Sequence, residues 1–256
     1  MHTVPRGTMK GKMKMSKVTL NDKVFALVAK MQAETDSSVK LSNTSKLGVK
    51  SWSLQALNTC PASIGADGEL VDACKGCYAT AGHYRYATVR APREFNRQAW
   101  EQDSFVSDFV KALNKERFFR FFDSGDMYNI KLAEKMLEIM QLTPHVNFWL
   151  PTRMYKFKKF HSVIEKMAAL PNVAVRLSSD SIIGELVESK VSDLNSTIIP
   201  EDKIDSYNGF ICKAFYQDGK CLDCTACYSK DIKTVAYVGH GQSMKKKQKL
   251  ISVVSV

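Results

Sequence analysis

The segments FFRFFDSGD at residues 118–126, VNFWLPTR at 146–153 and VAVRLSSD at 173–180 share one plan: a short apolar run that stops abruptly at polar, turn-forming residues. Phe118–Phe122 predicts a strand closed by Asp123-Ser124-Gly125-Asp126, Val146–Leu150 one closed by Pro151-Thr152-Arg153, and Val173–Leu177 one closed by Ser178-Ser179-Asp180. Between them, Leu132, Met136, Leu137 and Met140 mark one amphipathic helix, and Phe160, Val163, Ile164, Met167 and Leu170 mark another. Strands that alternate with single helices form parallel βαβ units. The expected fold is α/β, a full or partial (β/α) barrel with a cysteine-rich C-terminal segment over the site end; a doubly wound sheet is the competitor. In either, the site gathers at the carboxyl ends of the strands.

Outward from this centre, Trp52–Leu57 predicts a first strand, Thr88–Asn114 a helical stretch and Thr234–Val238 a late strand. Residues 1–50 form a basic, polar arm with one apolar run at Val24–Val28, residues 51–240 a single domain, and residues 241–256 a basic tail. The net charge of +11 resides in the ends. Residues 1–50 hold ten basic and three acidic side chains and residues 241–256 four lysines and no acid, whereas the body balances 23 against 23. Basic ends on a neutral body fit solvated tails, with weak polyanion contact as the nucleic-acid alternative. No run is long and apolar enough to span a membrane, and the start lacks the apolar centre of a secretory signal. Met1, Met9, Met13 and Met15 leave the start codon open. The expected location is the cytoplasm, the host's if a phage encodes the chain, where clustered cysteines hold metals more often than they form disulfides.

All seven cysteines fall into two groups. Cys60, Cys74 and Cys77 are spaced C-x13-C-x2-C; Cys212, Cys221, Cys224 and Cys227 are spaced C-x8-C-x2-C-x2-C. A CxxCxxC run presents three thiolates on a tight loop, as a [4Fe–4S] cluster requires, and a remote cysteine completes the set. The four-cysteine group closes one cluster; the three-cysteine group leaves one iron open to a small molecule, or joins a shared cluster. A tetrahedral zinc site pairing Cys74 and Cys77 with Cys224 and Cys227 is the alternative. Asp123 and Asp126 bracket one strand end and are the catalytic candidates, against a plain turn preference. Arg153 would pair a carboxylate, and Arg120 and Arg176, inside strands, would neutralise acids within a barrel. His83 and His240 are candidates for cluster or proton roles, against the commoner structural reading of a lone histidine. No P-loop, GxGxxG, HExxH or GxSxG pattern is present.

The segments Thr59-Cys60-Pro61, Cys74-Lys75-Gly76-Cys77-Tyr78-Ala79 and Phe122-Asp123-Ser124-Gly125-Asp126 resemble a bacteriophage family known as gene product eighty-eight, from about Trp52 to His240. More distantly, the layout is similar to the radical S-adenosylmethionine (SAM) superfamily, partial or full (β/α) barrels with a three-cysteine loop after the first strand. That likeness implies an iron–sulfur enzyme with SAM as a second cofactor, a small-molecule substrate and an electron donor. It places Tyr78 as the loop's aromatic residue and Ser124, Gly125 and Asp126 where a Gly-Gly-Glu-like turn holds the SAM amino group. Ser178 and Asp180 then fall where a later strand meets SAM, and the second cysteine group resembles an auxiliary-cluster module. The superfamily's usual loop is CxxxCxxC, from which Cys60 departs. Two functions of other classes compete: an electron-transfer or cluster-carrying protein without SAM, and a zinc-stabilised nucleic-acid-binding module.

Overall fold

A computed structural model describes residues 19–44 and 46–254. Residues 1–18 of the basic arm lie outside the described residues. The rest of that arm begins with helix α1 (Leu20–Glu34), started by a reciprocal cap in which Thr19 and Asp22 each accept the other's backbone N–H. Its Val24 and Val28 are buried against Ala91, Phe95 and Ala99 of α3 (Ala87–Ala99). The apolar run at Val24–Val28 is therefore a docking stripe.

Eight strands form one sheet: β1 (Ser42–Asn43), β2 (Lys50–Trp52), β3 (Phe118–Phe121), β4 (Asn147–Thr152), β5 (Val173–Ser178), β6 (Asn195–Ile199), β7 (Phe210–Ile211) and β8 (Thr234–Val238). Their spatial order is β1-β2-β3-β4-β5-β6-β8-β7, and every pairing except β1–β2 is parallel. The three strands read from the apolar runs are β3, β4 and β5, side by side and in chain order. The sheet is open, with β1 and β7 as its edges, so the full barrel expected from the sequence does not close.

The period of two along each strand divides the sheet's faces. Phe119, Phe121, Phe148, Leu150, Val175 and Leu177 join a core with Phe105, Phe109 and Leu113 of α4 (Phe105–Leu113), Leu132, Met136 and Met140 of α5 (Ile130–Leu142), and Val163, Ile164 and Met167 of α6 (His161–Ala169). Trp52, Phe109, Phe121 and Phe148 make edge-on and stacked ring contacts through this layer. The opposite face carries Arg120, Trp149, Ser178, Ser196 and Tyr237, which line a cavity.

Four local features differ from the sequence expectation, each for a visible reason. The stretch Thr88–Asn114 is two helices, because Lys135 Nζ captures the carbonyls of Trp100, Glu101 and Gln102 at 3.1, 3.3 and 2.9 Å and so ends α3. The first strand ends at Trp52 rather than Leu57, since the chain turns there and Leu57 adopts a left-handed φ of 66°. The polar strand β6 was not anticipated; residues 179–194 reach it from β5 without a helix, which breaks the alternation that revealed the others. The described part of the basic tail is helix α7 (Gln242–Val254), seated by buried Met244 against Ala73 and Ile182 and by Gln248 Nε2 donating to the Ile182 carbonyl at 2.8 Å.

One buried cation organises the far end of the sheet. Arg176 on β5 is fully buried and pairs with no acid among the described residues; its guanidinium donates to the carbonyls of Cys227, Asn195, Ile232, Ala226 and Ser229 at 2.6–3.4 Å. The expected acid-neutralising role is thus replaced by carbonyl capture. Five partners answer the desolvation that lowers its pKa. Replacing Arg176 with methionine is expected to destabilise the protein by at least about 3 kcal/mol in urea denaturation, since several buried carbonyls lose a charged donor at once. A loss below about 1 kcal/mol would contradict this account.

Candidate functional site

The first cysteine group hangs between β2 and α3. Cys60 N–H donates to the Leu57 carbonyl at 3.2 Å, and the Cys60 carbonyl accepts Ser63 N–H and Ser63 Oγ at 2.9 and 2.6 Å. The short helix α2 (Asp72–Lys75) carries Cys74, and Cys77 N–H closes the next turn on the Cys74 carbonyl at 3.1 Å. Ala73 N–H donates to the Asp180 carbonyl at 2.9 Å, which fixes this loop to the end of β5. Burial pushes the Cys60 thiol up to about 12, with Asp126 and the neighbouring Cys74 and Cys77 adding to it. Cys74 and Cys77 are raised for the same first reason.

The Asp123–Asp126 turn is clamped onto the chain leading to Cys60. Phe122 has a left-handed φ of 60°, unusual for a bulky side chain, and Gly125 one of 82°. Leu54 N–H donates to the Ser124 carbonyl and Asp126 N–H to the Thr59 carbonyl, both at 3.0 Å. A Cβ on Gly125 would stand 2.6 Å from Leu54 Cβ and 2.7 Å from Thr59 Oγ1, so only glycine fits this approach.

Both carboxylates of that turn are committed. Asp123 accepts from Arg93 Nη2 and Tyr84 Oη, each at 3.2 Å, and from the Ser53 hydroxyl. Asp126 accepts from Met127 N–H and Thr152 Oγ1 at 2.8 Å and from Arg153 N–H at 2.9 Å. These bonds favour its charge, yet burial outweighs them and pushes Asp126 up to about 6. Ser124 Oγ donates to the Leu54 carbonyl at 2.7 Å and accepts from Arg93 Nε at 2.6 Å. Ser178 Oγ accepts from Ser196 Oγ at 3.4 Å. Asp180 pairs with Arg153 Nε at 3.2 Å and closely with Lys156.

The second group lies between β7 and β8. Cys212 N–H prolongs the pairing to the Ala236 carbonyl at 2.8 Å, and Cys221 N–H reaches the Lys46 carbonyl, beside the β1–β2 hairpin, at 2.7 Å. The loop thus contacts both the β8 edge and the hairpin at the sheet's opposite end. Cys224 N–H donates to the Cys221 carbonyl at 2.9 Å, and Cys227 Sγ meets Tyr237 Oη at 3.3 Å. Burial pushes the Cys227 thiol up to about 11 and raises Cys221, and each of these two also feels Cys212.

A cavity of about 970 Å³ gathers these segments at the strands' carboxyl ends. Cys60, Cys74, Cys77, Cys212, Cys221 and Cys227 line it, together with Asp123, Ser124, Gly125, Asp126 and Ser178. Cys224 and Asp180 are not among its lining residues; Asp180 borders a smaller pocket instead. All seven cysteines are free thiols. Among the described residues, no three His, Cys, Asp or Glu side chains already stand where they could hold a metal ion. Thiols are the donor type that iron–sulfur clusters take, but ligation would require these to draw together and to ionise against the burial that raises Cys60, Cys74, Cys77, Cys221 and Cys227. Sequence reasoning missed Ser53, Tyr84, Arg93, Trp149 and Tyr237. For Arg93 a signal existed, since it shares a helix face with Asn96 and Trp100, three and seven residues on.

A family model described as gene product 88 matches residues 25–249, and the chain belongs to that family. The match is wider than the motifs suggest and includes most of α1 and more than half of α7. No curated protein and no solved structure matches the chain. No helix among the described residues is long and apolar enough to cross a membrane.

The raised pKa of Asp126 fixes the sign of a pH effect. A carboxyl that holds its proton more tightly when folded stabilises the fold below its unfolded pKa and loses that contribution as pH rises toward about 6. Urea stability is expected to fall between pH 4 and 6 by this group's share, and Asp126→Asn to flatten that part of the profile. An unchanged profile in the variant would refute the assignment.

Proposed function

We propose that this member of the gene product 88 family is an iron–sulfur protein, with Cys212, Cys221, Cys224 and Cys227 holding one [4Fe–4S] cluster and Cys60, Cys74 and Cys77 a second. The observation that carries the proposal is the convergence of six of the seven thiols, from segments about 150 residues apart, on one cavity in groups that follow the sequence spacing. Cys60, Cys74 and Cys77 would leave one iron without a protein ligand, and SAM would be its partner, which would make the protein a radical SAM-like enzyme acting on a small molecule in the cytoplasm. Bound there, such a cluster supplies single electrons drawn from a donor protein.

The chain's own residues set the stage for that chemistry. Arg93, Ser53 and Tyr84 hold Asp123, and Thr152 and Arg153 hold Asp126, so the turn between β3 and α5 is rigid where the cofactor's polar end would lie. Ser178, at the end of β5, lines the same cavity and accepts from Ser196 of β6. The architecture supports a partial (β/α) barrel: β2 to β6 follow chain order, with α4, α5 and α6 against one face, as in a singly wound barrel. The loop over residues 212–227 would then cover the site end. The cavity's size favours a bound small molecule over electron transfer alone.

Iron and acid-labile sulfide counted per chain in oxygen-protected protein test the proposal. About eight of each are expected, with Cys74→Ala and Cys224→Ala each removing about half. SAM is expected to change the EPR signal of the reduced wild-type protein and to leave that of Cys74→Ala unchanged. Stoichiometric zinc without iron would replace this account with that of a zinc-stabilised nucleic-acid-binding module, and iron without a SAM response with that of an electron or cluster carrier.

A further inference from the structure

We propose that Arg120 and Trp149, which line the cavity, and Tyr228, packed against Trp149, form a binding site for the anionic group, carboxylate or phosphate, of a small molecule held in the cavity. The site stands on the sheet's inner side chains and does not depend on what the thiols hold. Arg120 on β3 and Trp149 on β4 are register partners, and the guanidinium lies 4.3 Å over the indole ring. Tyr228 packs its ring edge-on to Trp149 at 6.1 Å and to Phe118 at 5.0 Å. In this cluster Arg120 Nε, Trp149 Nε1 and Tyr228 Oη are buried without a hydrogen-bond partner.

Three buried donors left open beside one another are costly, at about 1–3 kcal/mol each, and native proteins avoid them unless something else supplies the acceptor. Arginine and tryptophan nitrogens only donate, so the missing partner must be an acceptor, and the guanidinium charge selects an anion. Arg176, also on an inner strand, shows the contrast. It finds five carbonyls, while Arg120, among the described residues, forms no ion pair, meets only the Tyr78 hydroxyl and keeps its Nε open. The nearest candidate acid, Asp123, is already engaged by Arg93, Tyr84 and Ser53. The stacked indole holds the guanidinium by its face and leaves its edge for bidentate contact. Trp52 Nε1 is also unpartnered, but it belongs to the helix-covered core and stands apart from this cluster.

The full chain is titrated with inorganic phosphate and, separately, succinate, at ionic strength held constant with chloride, and read by thermal unfolding and tryptophan fluorescence. At least one probe is expected to raise the melting temperature of the wild type in a saturable way. Arg120→Met is expected to weaken that binding at least about tenfold, and Tyr228→Phe by about threefold with the fold retained. Without anion, Arg120→Met is expected to melt close to wild type, because the buried charge it removes has one phenol partner, Tyr78, and no ion pair among the described residues. Iron counted on the same samples separates this outcome from any loss of clusters. If neither probe binds the wild type, or both variants bind like it, the donors are satisfied by water and the proposal is wrong. A marked loss of stability in Arg120→Met together with unchanged binding in Tyr228→Phe would make Arg120 a structural counter-charge and would overturn it equally.

Discussion

A guanidinium buried without an acid decides how the far half of this molecule is arranged. Arg176 projects from β5 and draws in carbonyls from Ala226, Cys227, Ser229 and Ile232, so the loop that carries Cys224 and Cys227 cannot leave the sheet without abandoning a charge in the interior. Once held, the same loop brings Cys221 to the Lys46 carbonyl beside the β1–β2 hairpin. Two ends of an open sheet are thereby joined by loop backbone instead of strand pairing. The cavity and the position of three thiols, Cys212, Cys221 and Cys227, on its wall follow from that tether.

The opposite wall obeys a second rule, close backbone approach. Gly125 lets the turn after β3 press against Leu54 and Thr59, and the left-handed Phe122 aims Asp123 toward Ser53 and Arg93. The carboxylates that the sequence offers as catalytic candidates spend their lone pairs on this assembly. In the proposed function these carboxylates position neighbours, and the reactive groups would come from the thiols and what they bind.

The part of the fold that was legible in the sequence is the part governed by periodicity. β3, β4, β5 and the helices between them appear as apolar runs, because one face of each strand packs on helices. The two edges and β6 were not legible: β1 and β7 have two residues each, and β6 reads Asn-Ser-Thr before its isoleucines and follows a helix-free crossover. The gathering of Cys60, Asp123–Asp126 and Ser178 on one cavity was legible from the strand-end rule alone. Asp180 escapes it because Arg153 and Lys156 hold its carboxylate to one side. The partners of Arg176 could not be read at all, since backbone carbonyls leave no residue-type signature. The described parts of the basic ends are helices, with Val24, Val28, Met244 and Gln248 buried on one side, a docking that their charge conceals.

The central claim is that thiols from two distant segments hold iron at two places on one cavity. Crystals of protein prepared without oxygen, measured for anomalous scattering on both sides of the iron edge, test it most directly. The account predicts two iron peaks, one enclosed by Cys60, Cys74 and Cys77 and the other by Cys212, Cys221, Cys224 and Cys227. A single peak drawing ligands from both groups, or scattering from zinc alone, would contradict it.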